Sequence, residues 1–187
     1  MPLKFLMDVF HSPCIKCKGC EAICKNQNDT PEGVFRIRVV TINEGQEGQI
    51  NIPMPCLHCN DPPCMKVCPT GAIYKRSEDG VVLVNKDVCI GCGYCATACP
   101  FGAPQFRKSG AFGLDGKMDK CTFCVQPYNP KDASGSEIFR EPKSRCSMVC
   151  PTGTINFGEQ ADLAKKLRER AAEKMASGTL ESIFVFF

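Results

Sequence analysis

The sequence predicts a small α+β protein organised around cysteine loops and finished by a C-terminal helix. Three observations carry that prediction: sixteen cysteines fall into four spaced groups, short strand-like segments stand between them, and a breaker-free amphipathic stretch follows the last group. A chain of 187 residues suffices for one ordinary domain or two very small ones, so no single large apolar core is required.

Sixteen cysteines in this length approach the level that implies a covalent or metal framework. Disulfides require an oxidising compartment, and an exported chain opens on a basic segment, a sustained apolar run and a small-residue cleavage site. The start, MPLKFLMDVFHSPC, interrupts its apolar residues with Lys4 and Asp8 and carries no twin-arginine pair. No stretch approaches the length of a membrane span. The expectation is a cytoplasmic chain whose thiols are free to bind metal.

The first group is Cys14, Cys17, Cys20 and Cys24, spaced C-x2-C-x2-C-x3-C. The second is Cys56, Cys59, Cys64 and Cys68, with two extra residues in its middle gap, and the third is Cys89, Cys92, Cys95 and Cys99. The fourth is split: Cys121 and Cys124, then twenty-one residues, then Cys146 and Cys150. Three tails repeat one another, as CPTGAIY at 68–74, CPFGAPQF at 99–106 and CPTGTINF at 150–157, which is internal duplication.

Three cysteines at two-residue intervals can wrap three corners of an iron–sulfur cube, with Gly19, Gly91 and Gly93 letting the backbone turn closely around it. The fourth corner needs a cysteine from elsewhere, and in the bacterial ferredoxin run the Cys before Pro ligates the other cluster of a pair. Structural zinc instead uses two separated cysteine pairs. A triple followed by Cys-Pro fits that poorly, although the fourth group read alone could pass for a zinc site.

Between the groups, AIYKRSEDGVVLVNKDVC reads as strand, turn and strand, with Val81, Val82 and Val84 in the return strand. VFRIRVVT at 34–41 alternates as a further strand, EGQEG at 44–48 is a polar turn, and 126–145 reads as an exposed loop or partner-facing lobe. From Glu159 to Ser177 the apolar residues Leu163, Leu167, Ala171 and Met175 recur at four-residue steps, as on an amphipathic helix. That stripe fits packing on its own domain better than docking a partner. SIFVFF at 182–187 is an apolar end that either adds a strand to the fold or inserts into another subunit.

The formal charge of +3 treats every cysteine as a neutral thiol. Four oxidised clusters with their thiolates, each of about −2, would bring it to roughly −5, which removes the electrostatic case for nucleic-acid binding. The Lys and Arg residues then read as solvated surface or as charge compensation near clusters. His58, between Cys56 and Cys59, reads as an ordinary solvent- or backbone-bonded histidine, and His11 carries less information. Met65 and Met148 suit packing against a cluster cage, and Phe101, Phe106 and Phe157 suit shielding clusters from water. No phosphate loop, dinucleotide fingerprint or nucleophile motif is present, so no catalytic residue is assigned.

The motif order with its split fourth group resembles the four-cluster, ferredoxin-like electron-transfer (beta) subunits of molybdenum and tungsten oxidoreductases. These include formate dehydrogenase, dimethyl sulfoxide reductase, tungsten aldehyde oxidoreductase and benzoyl-CoA reductase types. The resemblance covers roughly residues 10–160. It implies two nested ferredoxin-like [4Fe-4S] modules: an outer one of residues 1–50 and 107–158, an inner one of 51–106, and then 159–187 as helix and apolar tail. It also implies the ligand sets. Cys56, Cys59 and Cys64 would take Cys99, and Cys89, Cys92 and Cys95 would take Cys68. Cys14, Cys17 and Cys20 would take Cys150, and Cys121, Cys124 and Cys146 would take Cys24.

Two departures fall in the outer module: Lys25 replaces the Pro after Cys24, and the spacer between Cys124 and Cys146 is longer than usual. The implied function is a wire of four [4Fe-4S] clusters between a catalytic Mo/W-pterin subunit and a further electron-transfer or flavin partner. A free-standing polyferredoxin and a zinc-stabilised binding module are the competing readings.

Overall fold

The computed structural model describes residues 2–10, 12–107 and 116–177. In chain order the elements are β1 (Leu3–Met7), α1 (Gly19–Asn28), β2 (Ile37–Ile42), β3 (Ile50–Pro55), α2 (Pro63–Lys66), β4 (Ile73–Lys75), β5 (Val82–Val84), α3 (Tyr94–Ala98), α4 (Arg145–Met148), β6 (Ile155–Glu159) and α5 (Gln160–Ala176). The strands form three separate antiparallel pairs, β1 with β6, β2 with β3 and β4 with β5.

Proline sets the helix lengths around the cysteines. Cys68, Cys99 and Cys150 each precede a Pro, which disfavours helical backbone at the residue before it, and α2, α3 and α4 stop after four or five residues. Lys25 removes that stop after Cys24, and α1 runs on for ten residues. The Lys25 ammonium then donates to the carbonyls of Pro31 at 3.0 Å and Val34 at 3.1 Å, holding the loop that leads to β2.

The repeated tails are one turn used three times. Gly71, Gly102 and Gly153 have φ of 63°, 61° and 67°, a conformation open to glycine at little cost. Each donates its N–H to the carbonyl of the cysteine three residues earlier.

The expected hairpin after Ala72 is present as β4 and β5, with Ile73 opposite Val84. The strand expected at 34–41 is shifted to Ile37–Ile42, because Val34 and Arg36 are buried in the approach to it instead of joining the ladder. The expectation of exposure across 126–145 fails at its start, where Gln126 and Tyr128 are buried. There the chain is drawn inward as the Tyr128 N–H donates to the Asn28 carbonyl at 2.8 Å. Residues 129–143 are largely exposed, as expected.

Helix α5 covers nearly the expected span and packs on β6 and β1 of its own chain. Leu163 is buried, while Met175 at the far end of the stripe is 57% exposed. Arg170 pairs with the buried carboxylate of Asp8, and Lys174 donates to the Phe10 carbonyl at 2.8 Å. The apolar segment 182–187 and His11 lie outside the described residues. Among the described residues no helix is long and apolar enough to cross a membrane.

Apolar burial is split into three small clusters, and each contains cysteines: Cys64 and Cys95 in one, Cys56 and Cys121 in another, and Cys20, Cys24 and Cys146 in the third. Phe5, Phe123 and Phe157 fill the space between the second and third, with Phe123 edge-on to Phe5 at 4.8 Å and to Phe157 at 4.9 Å.

Candidate metal centres

Every C-x3-C step in the chain starts in a helix: Cys20 to Cys24 lies within α1, while Cys64, Cys95 and Cys146 lie in α2, α3 and α4 with Cys68, Cys99 and Cys150 one or two residues past the helix end. Four residues of helix put the second sulfur on the same side as the first but about 6 Å further along. That displacement carries the second cysteine out of its own motif's cavity and into a neighbouring one.

The cavities follow from it. Cys56, Cys59 and Cys64 share one with Cys99. Cys89, Cys92 and Cys95 share one with Cys68. Cys121, Cys124 and Cys146 share one with Cys24. The remaining four cysteines are mutual electrostatic neighbours, Cys14 of Cys17 and Cys150, and Cys20 of Cys14 and Cys17. The cages neighbour one another in a row. Cys95 feels Cys64, Cys121 feels Cys56, and Cys146 feels Cys20. The order is therefore the Cys89 cage, the Cys56 cage, the Cys121 cage and the Cys14 cage. Exposed cysteines stand at the two ends, Cys92 and Cys17.

Burial and the neighbouring Glu21 and thiols push the Cys20 thiol up to about 12, and burial pushes Cys146 to about 12 despite the Ser144 hydroxyl. Burial and neighbouring thiols raise Cys95 to about 11. Thiolates are unfavourable in these cages without a multiply charged cation among them. Cys68 and Cys150 go the other way. Burial raises each, but the backbone of Ile73 and the Thr70 side chain outweigh it at Cys68, as Ile155 and Thr152 do at Cys150. These two sit in the repeated CPTG turns, so the repeat supplies donors as well as shape. The Asn28 amide adds contacts to the sulfurs of Cys24 at 3.7 Å and Cys124 at 3.9 Å.

Cations are buried among the cages. Arg36, 4% exposed, binds Asp119 through Nε at 2.7 Å and Nη2 at 2.8 Å, and also reaches Thr122 and the Gln126 carbonyl. Lys86 joins the same carboxylate at 3.1 Å and stands 3.7 Å from the Tyr128 ring centroid. Burial opposes ionisation of Asp119, but Arg36 and Lys86 hold its carboxyl below the usual range. Lys120 is 1% exposed and donates to the Val82 and Cys121 carbonyls. The sequence signal for these groups was weak, since Lys and Arg usually mark surface.

His58 is buried at 0% exposure, not solvent-bonded. It accepts the Val82 N–H at Nδ1 at 2.9 Å and stacks on Phe123 with centroids 3.8 Å apart. Burial, aided by Lys120 and Lys4, keeps its pKa well below the ordinary value. Met65 packs on the apolar core that contains Cys64 and Cys95, but Met148 is 60% exposed. Two residues beyond the inward-facing Cys146, it lies about 200° round α4 and faces solvent. Phe101 and Phe106 line the Cys56 and Cys89 cavities, whereas Phe157 packs with Phe5 and Phe123.

Cysteine cages set in a row and linked by short helices define the chain as an iron–sulfur protein of the ferredoxin-like class. A family described as a 4Fe-4S dicluster domain matches residues 49–160, and a second family of the same description matches residues 13–72. The formate dehydrogenase iron-sulfur subunit of Wolinella succinogenes is 44% identical over 185 residues, covering 95% of this chain and 90% of that one. A chain of the anaerobic dimethyl sulfoxide reductase of Escherichia coli is 40% identical, over 86% of this chain and 76% of its own length. A sulfite dehydrogenase subunit of Allochromatium vinosum is 36% identical, over 87% of this chain and 73% of its own. The chain belongs to this family of 4Fe-4S iron–sulfur subunits, which are electron-transfer components of oxidoreductase complexes and not catalysts by themselves. This is the family that the cysteine motifs resemble.

Proposed function

We propose that the chain carries four [4Fe-4S] clusters as a wire between a catalytic molybdenum or tungsten pterin subunit and a further redox partner. The observation that carries the reading is the hand-over: three cavities, each lined by four cysteines, three from one motif and one from another. On this reading the ligand sets are Cys56, Cys59, Cys64 with Cys99; Cys89, Cys92, Cys95 with Cys68; Cys121, Cys124, Cys146 with Cys24; and Cys14, Cys17, Cys20 with Cys150. When bound, such a cluster changes by one electron while its four thiolates stay in place.

The nested arrangement is supported by the packing. β1 pairs with β6 and α1 packs on α4, joining 1–50 to 107–158, while α2 packs on α3 within 51–106. A cytoplasmic location is supported by sixteen free thiols.

Zinc fits the cages less well. Four thiolates around one zinc at about 2.3 Å lie about 3.8 Å apart. Among the described residues no three His, Cys, Asp or Glu side chains converge on a single ion. The partner reading draws on relatives named as formate dehydrogenase, dimethyl sulfoxide reductase and sulfite dehydrogenase components. The Cys14 cage would face the catalytic subunit and the Cys89 cage would be the far exit. Exposed apolar residues at both ends support two contact faces, Ile15 at 62% near Cys17, and Ile90 at 66% beside Cys92.

Iron and sulfide analysis of anaerobically purified protein tests the cofactor. About sixteen iron atoms and little zinc are expected, and a zinc-loaded, iron-free protein overturns the reading. Pull-down from native extract tests the partner, because a protein that elutes alone and fully active is a free polyferredoxin.

A further inference from the structure

Lys120 is the largest side chain that the fold buries completely, and it lines the cavity of Cys56, Cys59, Cys64 and Cys99. An ammonium this deep needs a counter-charge, because an unpaired buried ion is among the costliest groups a fold can contain. The neighbouring carboxylate, Asp119, is committed to Arg36 and Lys86. Among the described residues no Asp or Glu pairs with Lys120. Two of its three N–H donors go to the Val82 and Cys121 carbonyls, which leaves one for the cavity it lines. Lys120 stands in the same cavity wall as Cys56, Cys59, Cys64 and Cys99, so its charge faces whatever those four sulfurs hold. The buried cation of the adjacent Cys121 cage, Arg36, is by contrast neutralised by a two-point carboxylate bond.

We infer that Lys120 is the fixed counter-charge of the cluster in the Cys56 cage and selectively raises that cluster's reduction potential. This deepens the four-cluster reading above and rests on it. When one electron passes into this cage from its neighbour, Lys120 faces one more unit of negative charge and the donor cage faces one less. No proton moves, and no bond is made or broken. A cation held in a low-dielectric interior favours the more negative state, so the cage becomes a relative electron sink inside the row, the other three lacking a buried cation without a carboxylate among the described residues.

The test uses the full chain, purified anaerobically, with total iron measured first and potentials followed by EPR-monitored redox titration. Lys120→Gln removes the charge but can still donate to a carbonyl, and Lys120→Arg keeps the charge. Cys99→Ser assigns which signal belongs to this cage. The expected result is that in Lys120→Gln this one midpoint moves to more negative potential while the other signals stay and Lys120→Arg stays near wild type. Failure of Lys120→Gln to load iron while Lys120→Arg loads also supports the inference, because the charge is then needed to hold the anionic cluster. Loaded Lys120→Gln with an unshifted midpoint, a shift common to all signals or confined to another cage, or loss of iron in both variants overturns it. Iron-free wild-type protein would instead overturn the four-cluster reading itself.

Discussion

Asp119→Asn puts the electrostatics of the buried nest to a quantitative test. The carboxylate is 1% exposed and receives two bonds from Arg36, at 2.7 and 2.8 Å, and one from Lys86 at 3.1 Å. At about 3 Å and an effective dielectric of about 20, each opposite-charge pair attracts by about 5 kcal/mol, most of it offset by desolvation. Asparagine keeps the shape but turns an amide N–H₂ toward a guanidinium, and it leaves two cations buried without their anion. Removing one member of such a pair costs about 3–5 kcal/mol. If half of that loss is expressed in the unfolding rate, the lifetime under denaturant falls at least about tenfold. The assay is the decay of visible iron–sulfur absorbance of the anaerobic full chain at one fixed urea concentration. Decay of Asp119→Asn at the wild-type rate would refute the reasoning, since Arg36 and Lys86 would then be neutralised by something other than this carboxylate.

Cys99→Ala should remove about four of about sixteen irons, all from the cage of Cys56, Cys59 and Cys64, and leave the signal of its own motif intact. Loss confined to the Cys89 cage would refute the hand-over. Gly91→Ala should empty the Cys89 cage selectively, because a Cβ there would stand 1.9 Å from the Gly116 carbonyl oxygen at a φ of +69°. Wild-type iron content in that variant would show that the loop yields. Removing iron with a chelator should abolish most far-UV circular dichroism, since each apolar cluster is built partly from cysteines. Arg170→Ala should loosen α5 by about 1–3 kcal/mol, seen as faster limited proteolysis of that helix with iron content unchanged.

The grouping of the cysteines that line the cavities was legible in the sequence, because ligand chemistry favours such spacing. The repeated Cys-Pro-x-Gly tails were legible as a duplication, which the structure shows to be one turn used three times, while the missing Pro after Cys24 stood out as a departure whose effect, a longer α1, appears only in the fold. The hairpin at 72–85 was legible from its β-branched return strand. What was not legible depended on contacts distant in sequence. β1 reads as an apolar start broken by Lys4, and only its pairing with β6 makes it a strand. Arg36, Lys86 and Lys120 carry residue types that usually face water, and their burial follows from charges that sequence spacing does not place. His58 read as solvent- or backbone-bonded, and the structure shows the second, but its complete burial under Phe123 from the fourth cysteine group was not legible. Met148 was misjudged because proximity to a cysteine along the chain does not say which side of a helix faces inward.

The β1–β6 pair bears on how the protein is made. It joins Leu3 to Glu159, so β1 waits for more than 150 further residues to be made before finding its partner. The Cys56 and Cys89 cages have all their cysteines once Cys99 has left the ribosome. The Cys121 cage, however, waits for Cys146, and the Cys14 cage waits for Cys150. At that stage a nascent chain holds two finished cages while Cys14, Cys17, Cys20 and Cys24 stand exposed without their partners. On the four-cluster reading, cages would therefore be completed from the middle outward, and a chain truncated shortly before residue 146 would hold half the cysteine cages of the whole.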